Sequence, residues 1–157
     1  MNAKRTASMR DDRKVNVKVK LALLWVALMF LYIYNDVFSF FQPGHVAELV
    51  EGQLGGVEFT QTVLAAAAAL MALPSIMVLL SLTLRARPNR LVNIIVGIFH
   101  VAVLVGTQFV GESGVWLYWR FYEVLEALFL VLIIWTAWTW PAVESVGQEP
   151  ASRPTTT

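Results

Sequence analysis

The chain reads as all-α: a polytopic membrane protein built as an antiparallel bundle of four transmembrane helices. Three observations predict this. Of 157 residues, 57% are hydrophobic and only 15% are charged, whereas a soluble domain averages about 45–50% apolar and about 25% charged residues. The mean hydropathy is +0.62. Four apolar runs stand out, and the lysines and arginines are distributed unevenly between them.

The runs are "LALLWVALMFLYIYNDVFSFF", "VLAAAAALMALPSIMVLLSLTL", "LVNIIVGIFHVAVLVGTQFV" and the stretch from Val115 to Trp140. They place spans at about residues 20–41, 57–84, 89–110 and 115–140. About 20 residues rising 1.5 Å each cross a hydrocarbon core of about 30 Å, so each run is long enough. None alternates as a barrel strand does, and backbone groups in lipid must be satisfied within their own segment, so the runs are helices. The first run is too long for a signal peptide, and no small-residue cleavage site follows it. Short connections make consecutive helices antiparallel neighbours.

Orientation follows from the basic residues. Lys4, Arg5, Arg10, Arg13, Lys14, Lys18 and Lys20 precede the first span, and Arg85, Arg87 and Arg90 fill the loop between spans two and three. The loops at residues 42–55 and 111–114 have none. The positive-inside rule then puts both termini and the "RARPNR" loop in the cytoplasm. Residues 1–17 form a polar, basic N-terminus expected to be disordered, residues 18–141 the transmembrane domain, and residues 142–157 a solvated cytoplasmic tail. In the loop at 42–55 the sequence predicts one short helix, with Val46, Leu49 and Val50 on the membrane surface. "GQLGG" reads as a loop.

Packing is expected to use small residues, because helices in lipid gain little from hydrophobicity. "AAAAA" at 65–69, with Ala72, would let a neighbouring backbone approach closely. Pro74 removes a helix hydrogen bond and should bend span two, with Ser75 satisfying the freed carbonyl. Asn93, Gly97, His100, Leu104, Thr107 and Gln108 form a stripe on one face of span three, which looks inward. Trp116, Tyr118 and Trp119 at one end of span four, and Trp135, Trp138 and Trp140 at the other, read as interfacial belts.

The unusual chemistry lies in "YWRFYEVLEALF", where Arg120, Glu123 and Glu126 share one arc of a helix that must cross oil. Each charge at mid-membrane costs about 2.5–3.5 kcal/mol on insertion scales, so partners are required. Counting from the outer ends, Asp36 and Arg120 lie about 7 Å deep, Glu123 about 12 Å and Glu126 about 16 Å, near the height of His100. Glu58 marks the outer start of span two. The expected pairs are Arg120 with Asp36 and Glu58, and His100 with Glu126, and the inner half is expected to hold almost nothing comparable beyond Asn93. Asp36, Glu58, Glu123 and Glu126 outnumber Arg120 and His100, so acid is in excess.

Two readings of this cluster stand side by side. It can hold the bundle together, or it can take protons or a small polar or cationic ligand. An alternative is a membrane enzyme or redox-accessory subunit using Glu123, Glu126 and His100 as acid–base groups. Against it, the chain shows no nucleophile–base signature and no phosphate loop. It has no cysteine and only two histidines, so no metal or other cofactor is expected. A net charge of +1 gives no case for nucleic acid. The expected partner is the lipid bilayer, with a small ligand or an oligomeric partner left open; an unpaired small-residue face would mark a subunit of a larger complex.

"GVEFTQTVLAAAAALMALPSIMVLLSLTL", "NRLVNIIVGI", "YNDVFSFFQPG" and the glutamate-bearing fourth span with its "AWTW" ending resemble a bacterial four-helix membrane family, the domain of unknown function DUF6326. The resemblance covers roughly Lys18 to Pro141. It implies a small multi-pass inner-membrane protein and no particular activity. Where the family pattern has an acidic residue before the proline of span two, "MALP" has Ala72.

Overall fold

The computed structural model of the chain describes residues 15–109 and 116–140. The basic flank at 1–14, the loop at 111–114 with the start of span four at Val115, and the tail at 142–157 lie outside the described residues. Seven elements follow in order: α1 (Val17–Ser39), α2 (His45–Val50), β1 (Gln53–Leu54), β2 (Val57–Glu58), α3 (Gln61–Thr83), α4 (Ala86–Thr107) and α5 (Leu117–Trp138). Four of these helices, α1, α3, α4 and α5, are long and apolar enough to cross a membrane. The protein is an all-α, multi-pass membrane bundle.

The ends of the helices are set by local chemistry. Asn16 caps α1 by accepting a hydrogen bond from Lys18 N at 2.9 Å. Thr60 caps α3 by accepting from Val63 N at 3.2 Å. Leu84 and Arg85 are both extended, so two residues turn the chain from α3 into α4. Pro88 falls in the first turn of α4, where its missing N–H has no helical partner to lose.

The segment between α1 and α3 is more ordered than the sequence suggests. The predicted short helix is α2, with Val46 and Val50 exposed. "GQLGG" is not a plain loop. Gln53 pairs with Glu58 and Leu54 with Val57, and Gly55 and Gly56 at φ 54° and 79° make the two-residue turn. Only glycine adopts two successive positive φ values at so little cost, and a primed turn matches the twist of a hairpin.

Around the bundle, α1 packs against α3 and α5, and α4 packs against α5; α3 and α4 touch sparsely. Thus α1 and α4 stand diagonally and run in the same direction. Two side-chain bridges cross that diagonal. Trp25 Nε1 donates to Asn93 Oδ1 at 2.7 Å. One heptad further on both helices, the Tyr32 hydroxyl and His100 Nδ1 share a hydrogen bond at 3.3 Å.

The tight core occupies the half of the bundle nearest the basic loop. Leu21, Trp25 and Leu28 of α1, Met77 of α3, and Leu130, Ile133 and Ala137 of α5 are buried together. The inner half is also more polar than expected. Asn93 receives not only Trp25 but Ser81 Oγ, at 3.3 Å, and donates to Asn89 Oδ1 at 2.7 Å. Asn89 in turn donates to the Ser81 carbonyl at 2.6 Å. Asn89, Asn93 and Ser81 are completely buried. Neutral amides and hydroxyls carry no charge to draw the eye in a sequence, but in hydrocarbon each must find a partner. Gly97 lets α4 sit against α5, because a Cβ there would stand 2.8 Å from Ile134 Cγ1.

Two packing expectations fail. Ala65–Ala69 and Ala72 are exposed rather than seating a neighbouring helix. Ser75 Oγ donates to Met29 Sδ at 3.6 Å on α1, not to a carbonyl of its own helix, while Pro74 is buried within a continuous α3. The face of α4 behaves as predicted at Asn93, Gly97 and His100, which are buried, but Thr107 and Gln108 are exposed at its outer end. At the opposite end the Arg90 guanidinium lies 5.5 Å from the centroid of Trp138, a cation–π contact at the level of the expected belt.

Asn93→Leu strands the Trp25 indole N–H and the Asn89 amide; it is expected to lower unfolding stability in mild detergent by about 1–3 kcal/mol. Adding Trp25→Phe should recover part of that loss, as a double-mutant cycle would measure. Gly97→Leu forces α4 from α5 and is expected to cost about 1–3 kcal/mol in the same assay.

Candidate functional site

The half of the bundle away from the basic loop is loosely packed and holds a cavity of about 330 Å³. All four long helices contribute. From α1 come Tyr32, Asn35 and Asp36, and from α3 come Leu70 and Met71. The polar wall of α4 is His100, Thr107 and Gln108, and that of α5 is Arg120, Glu123 and Glu126. Helical periodicity places them. Asn35 and Asp36 follow Tyr32 by three and four residues, and Arg120, Glu123 and Glu126 follow one another by three, so each set lies on one face.

At the rim, three side chains close a ring. Arg120 Nη1 donates to Glu123 Oε2 at 2.7 Å and to Gln108 Oε1 at 2.6 Å. Gln108 Nε2 donates to Glu123 Oε1 at 2.6 Å. The ring joins the last turn of α4 to the first turns of α5 and places Glu123 opposite a cation. Its members are wet: the Arg120 side chain is 51% exposed and that of Glu123 is 23% exposed. Beside the ring, Gln42 Nε2 donates to the Tyr118 hydroxyl, and Phe38 meets both Tyr118 and Tyr122 at about 6 Å between ring centroids. These contacts tie the end of α1 to α5.

Deeper in, the chemistry changes. Glu126 is 4% exposed and His100 is 1% exposed. The His100 ring is fixed on three sides. It stacks on Tyr32 at 6.1 Å and meets Trp25 and Phe99 edge-on at 5.7 Å. Its Nδ1 is used by Tyr32, but its Nε2 has no hydrogen-bond partner among the described residues. The same holds for Glu126 Oε1 and Asn35 Oδ1. Tyr32, Asp36 and Glu123 are polar neighbours of Glu126, and the Asn35 side chain lies beside its carboxyl within hydrogen-bonding reach. Three buried polar atoms, on three different helices, therefore border one cavity without partners. Buried polar groups are nearly always paired, so such a cluster requires an explanation.

The expected site residues are brought together in part. Asp36, His100, Arg120, Glu123 and Glu126 border one space. Glu58 does not: it sits exposed on β2, on the hairpin outside the bundle. Arg120 takes Glu123 and Gln108 rather than Asp36 or Glu58, because the i, i+3 spacing on α5 gives it a carboxylate at no cost in chain geometry. His100 takes Tyr32, not Glu126. Tyr32 carries no charge and was passed over in the sequence, although it follows Trp25 by the same seven residues that separate Asn93 from His100. That shared interval was the available signal. Leu70 and Met71, which form the apolar side of the cavity, had none.

No curated protein and no solved structure matches the chain. A family model does match, over residues 10–146, and its description is "Family of unknown function (DUF6326)". That range takes in all four membrane helices, the hairpin and the whole of the cavity, so the protein is a member of the DUF6326 family.

Proposed function

We propose that this protein binds a small polar or cationic ligand, or holds protons, in the cavity between its four helices. The observation that carries this reading is that Asn35 Oδ1, His100 Nε2 and Glu126 Oε1 are all buried and all without partners among the described residues, on three residues that line one cavity. A cluster that only holds helices together would satisfy its own donors and acceptors, as Asn89, Asn93 and Ser81 do in the other half. The two halves of one bundle thus supply the comparison. Desolvating an acceptor without giving it a donor costs about 1–3 kcal/mol, and such a cost persists where binding returns it.

The reading divides the two glutamates. Glu123 belongs to the rim ring and supports the α4–α5 contact. Glu126 is the binding group. Both sit in a protein that we place in the cell's inner membrane with its termini in the cytoplasm. The basic residues of the flank and of the α3–α4 connection support that orientation. The cavity then opens toward the outer leaflet.

Glu126→Leu removes an unpartnered acceptor and is expected to leave the ligand-free protein as stable as the parent or more stable, by up to about 3 kcal/mol in thermal or detergent unfolding. A clear loss of stability would show that Glu126 is architectural and would overturn the binding role. Orientation is read separately. The chain has no cysteine, so single cysteines can be introduced cleanly. A membrane-impermeant maleimide applied to intact cells should label Gln53→Cys in the hairpin and leave Arg87→Cys in the α3–α4 connection unlabelled.

A further inference from the structure

We propose that the ligand is an amphipathic amine, a protonated nitrogen on an apolar body, and that it enters sideways from the lipid between α3 and α4. This rests on the cavity being a binding site and assigns the chemistry of what it takes.

The charge comes first. Of the three carboxylates bordering the cavity, Glu123 is neutralised by Arg120 at 2.7 Å. Asp36 has the His45 imidazole near it, while Glu126 has no cation against it among the described residues. The unpartnered oxygens of Glu126 and Asn35 are both acceptors. A ligand satisfying them must bring N–H or O–H donors, and positive charge offsets the remaining acid, Glu126. A buried ion pair is tolerated only where the geometry also supplies hydrogen bonds, which the Asn35 carbonyl oxygen does.

The route comes second. The helix connection at Leu84 and Arg85 joins α3 to α4 at the tightly packed end, yet the two helices touch sparsely. Toward the cavity end α3 supplies only Leu70 and Met71 to the lining. Met71 both lines the cavity and is 43% exposed on the outside of the bundle, so it stands on an edge of an opening. Outward from it, Ala65–Ala69 are all exposed, and each side chain is a single methyl group. Met71 lies ten residues from the start of α3, about 15 Å along the helix, a depth at which the surroundings are acyl chains. An amine with an alkyl or aromatic body can partition into the bilayer and lay that body on Leu70 and Met71.

The test uses the full chain in phosphatidylcholine nanodiscs, with binding read by thermal shift and by calorimetry. The probes are octylammonium, methylammonium with the same head but no tail, octanoate with the opposite charge, and glycerol as a neutral polyol. Octylammonium is expected to raise Tm saturably, and methylammonium, octanoate and glycerol to leave it unchanged. Glu126→Gln should weaken octylammonium by about tenfold or more, a loss of about 1.4 kcal/mol or more. Should that variant fail to fold, Asn35→Leu serves the same purpose. Ala67→Trp, one turn outward of Met71 on the same face, should slow association several-fold and leave Kd unchanged. Equal binding of methylammonium would overturn the apolar body and the lateral route while leaving the cavity a binding site. Binding of glycerol alone would overturn the charge assignment. An octylammonium response unaltered by Glu126→Gln or Asn35→Leu would mean partitioning into lipid and would overturn the proposal. If Ala67→Trp changes the oligomeric state, another chain covers this face and the route is wrong. If no probe binds at all, both the amine and the binding role fall.

Discussion

The bundle turns on one diagonal. α1 and α4 are not neighbours in sequence, and they stand across the bundle from each other, yet two side-chain bridges join them in the same register seven residues apart: Trp25 with Asn93, and Tyr32 with His100. In hydrocarbon there is no water to complete an unmet hydrogen bond, so a polar side chain in the middle of a helix must find its partner on another helix. Long aromatic side chains from α1 reach across the centre and meet short polar ones from α4. That geometry fixes the rotation of both helices, and α3 and α5 pack into the space left on either side.

The two bridges have different surroundings, and this difference separates structure from site. Around Trp25 and Asn93, the amide of Asn89 and the hydroxyl of Ser81 complete the network, and Leu21, Leu28, Met77, Leu130 and Ile133 close over it. Around Tyr32 and His100 the packing leaves a cavity. The outer half of α3 presents alanines, which fill little volume, and the space between the helices stays open. The imidazole is held by aromatic neighbours while its Nε2 is buried without a partner among the described residues. A fixed polar group at the wall of a cavity is pre-organised, so a ligand loses less free energy in ordering it.

The rim ring gives this cavity its electrical character. Arg120 and Glu123 would each be expensive in isolation, and Gln108 lets both be satisfied within one planar arrangement of donors and acceptors. The ring engages the guanidinium with Glu123 and Gln108, and Glu126 is left with no cation against it among the described residues.

The sequence by itself determined the class, the number of spans and the positions of most site residues. Hydropathy over about 20 residues is a local property, set by the bilayer thickness and the rise of a helix, and needs no knowledge of neighbours. The arc shared by Arg120, Glu123 and Glu126 is likewise local, because helical periodicity alone places it. Partner choice is not local. Arg120 found Glu123 and Gln108, His100 found Tyr32, and Glu58 was carried away from the bundle by a hairpin whose two-glycine turn had read as a loop. The buried amides of Asn89 and Asn93 became a network only because α1 and α4 came to face each other. Which polar atoms stay unpartnered, and where a cavity remains, depends on the rotation and splay of four helices at once, and these were decided only by the tertiary structure.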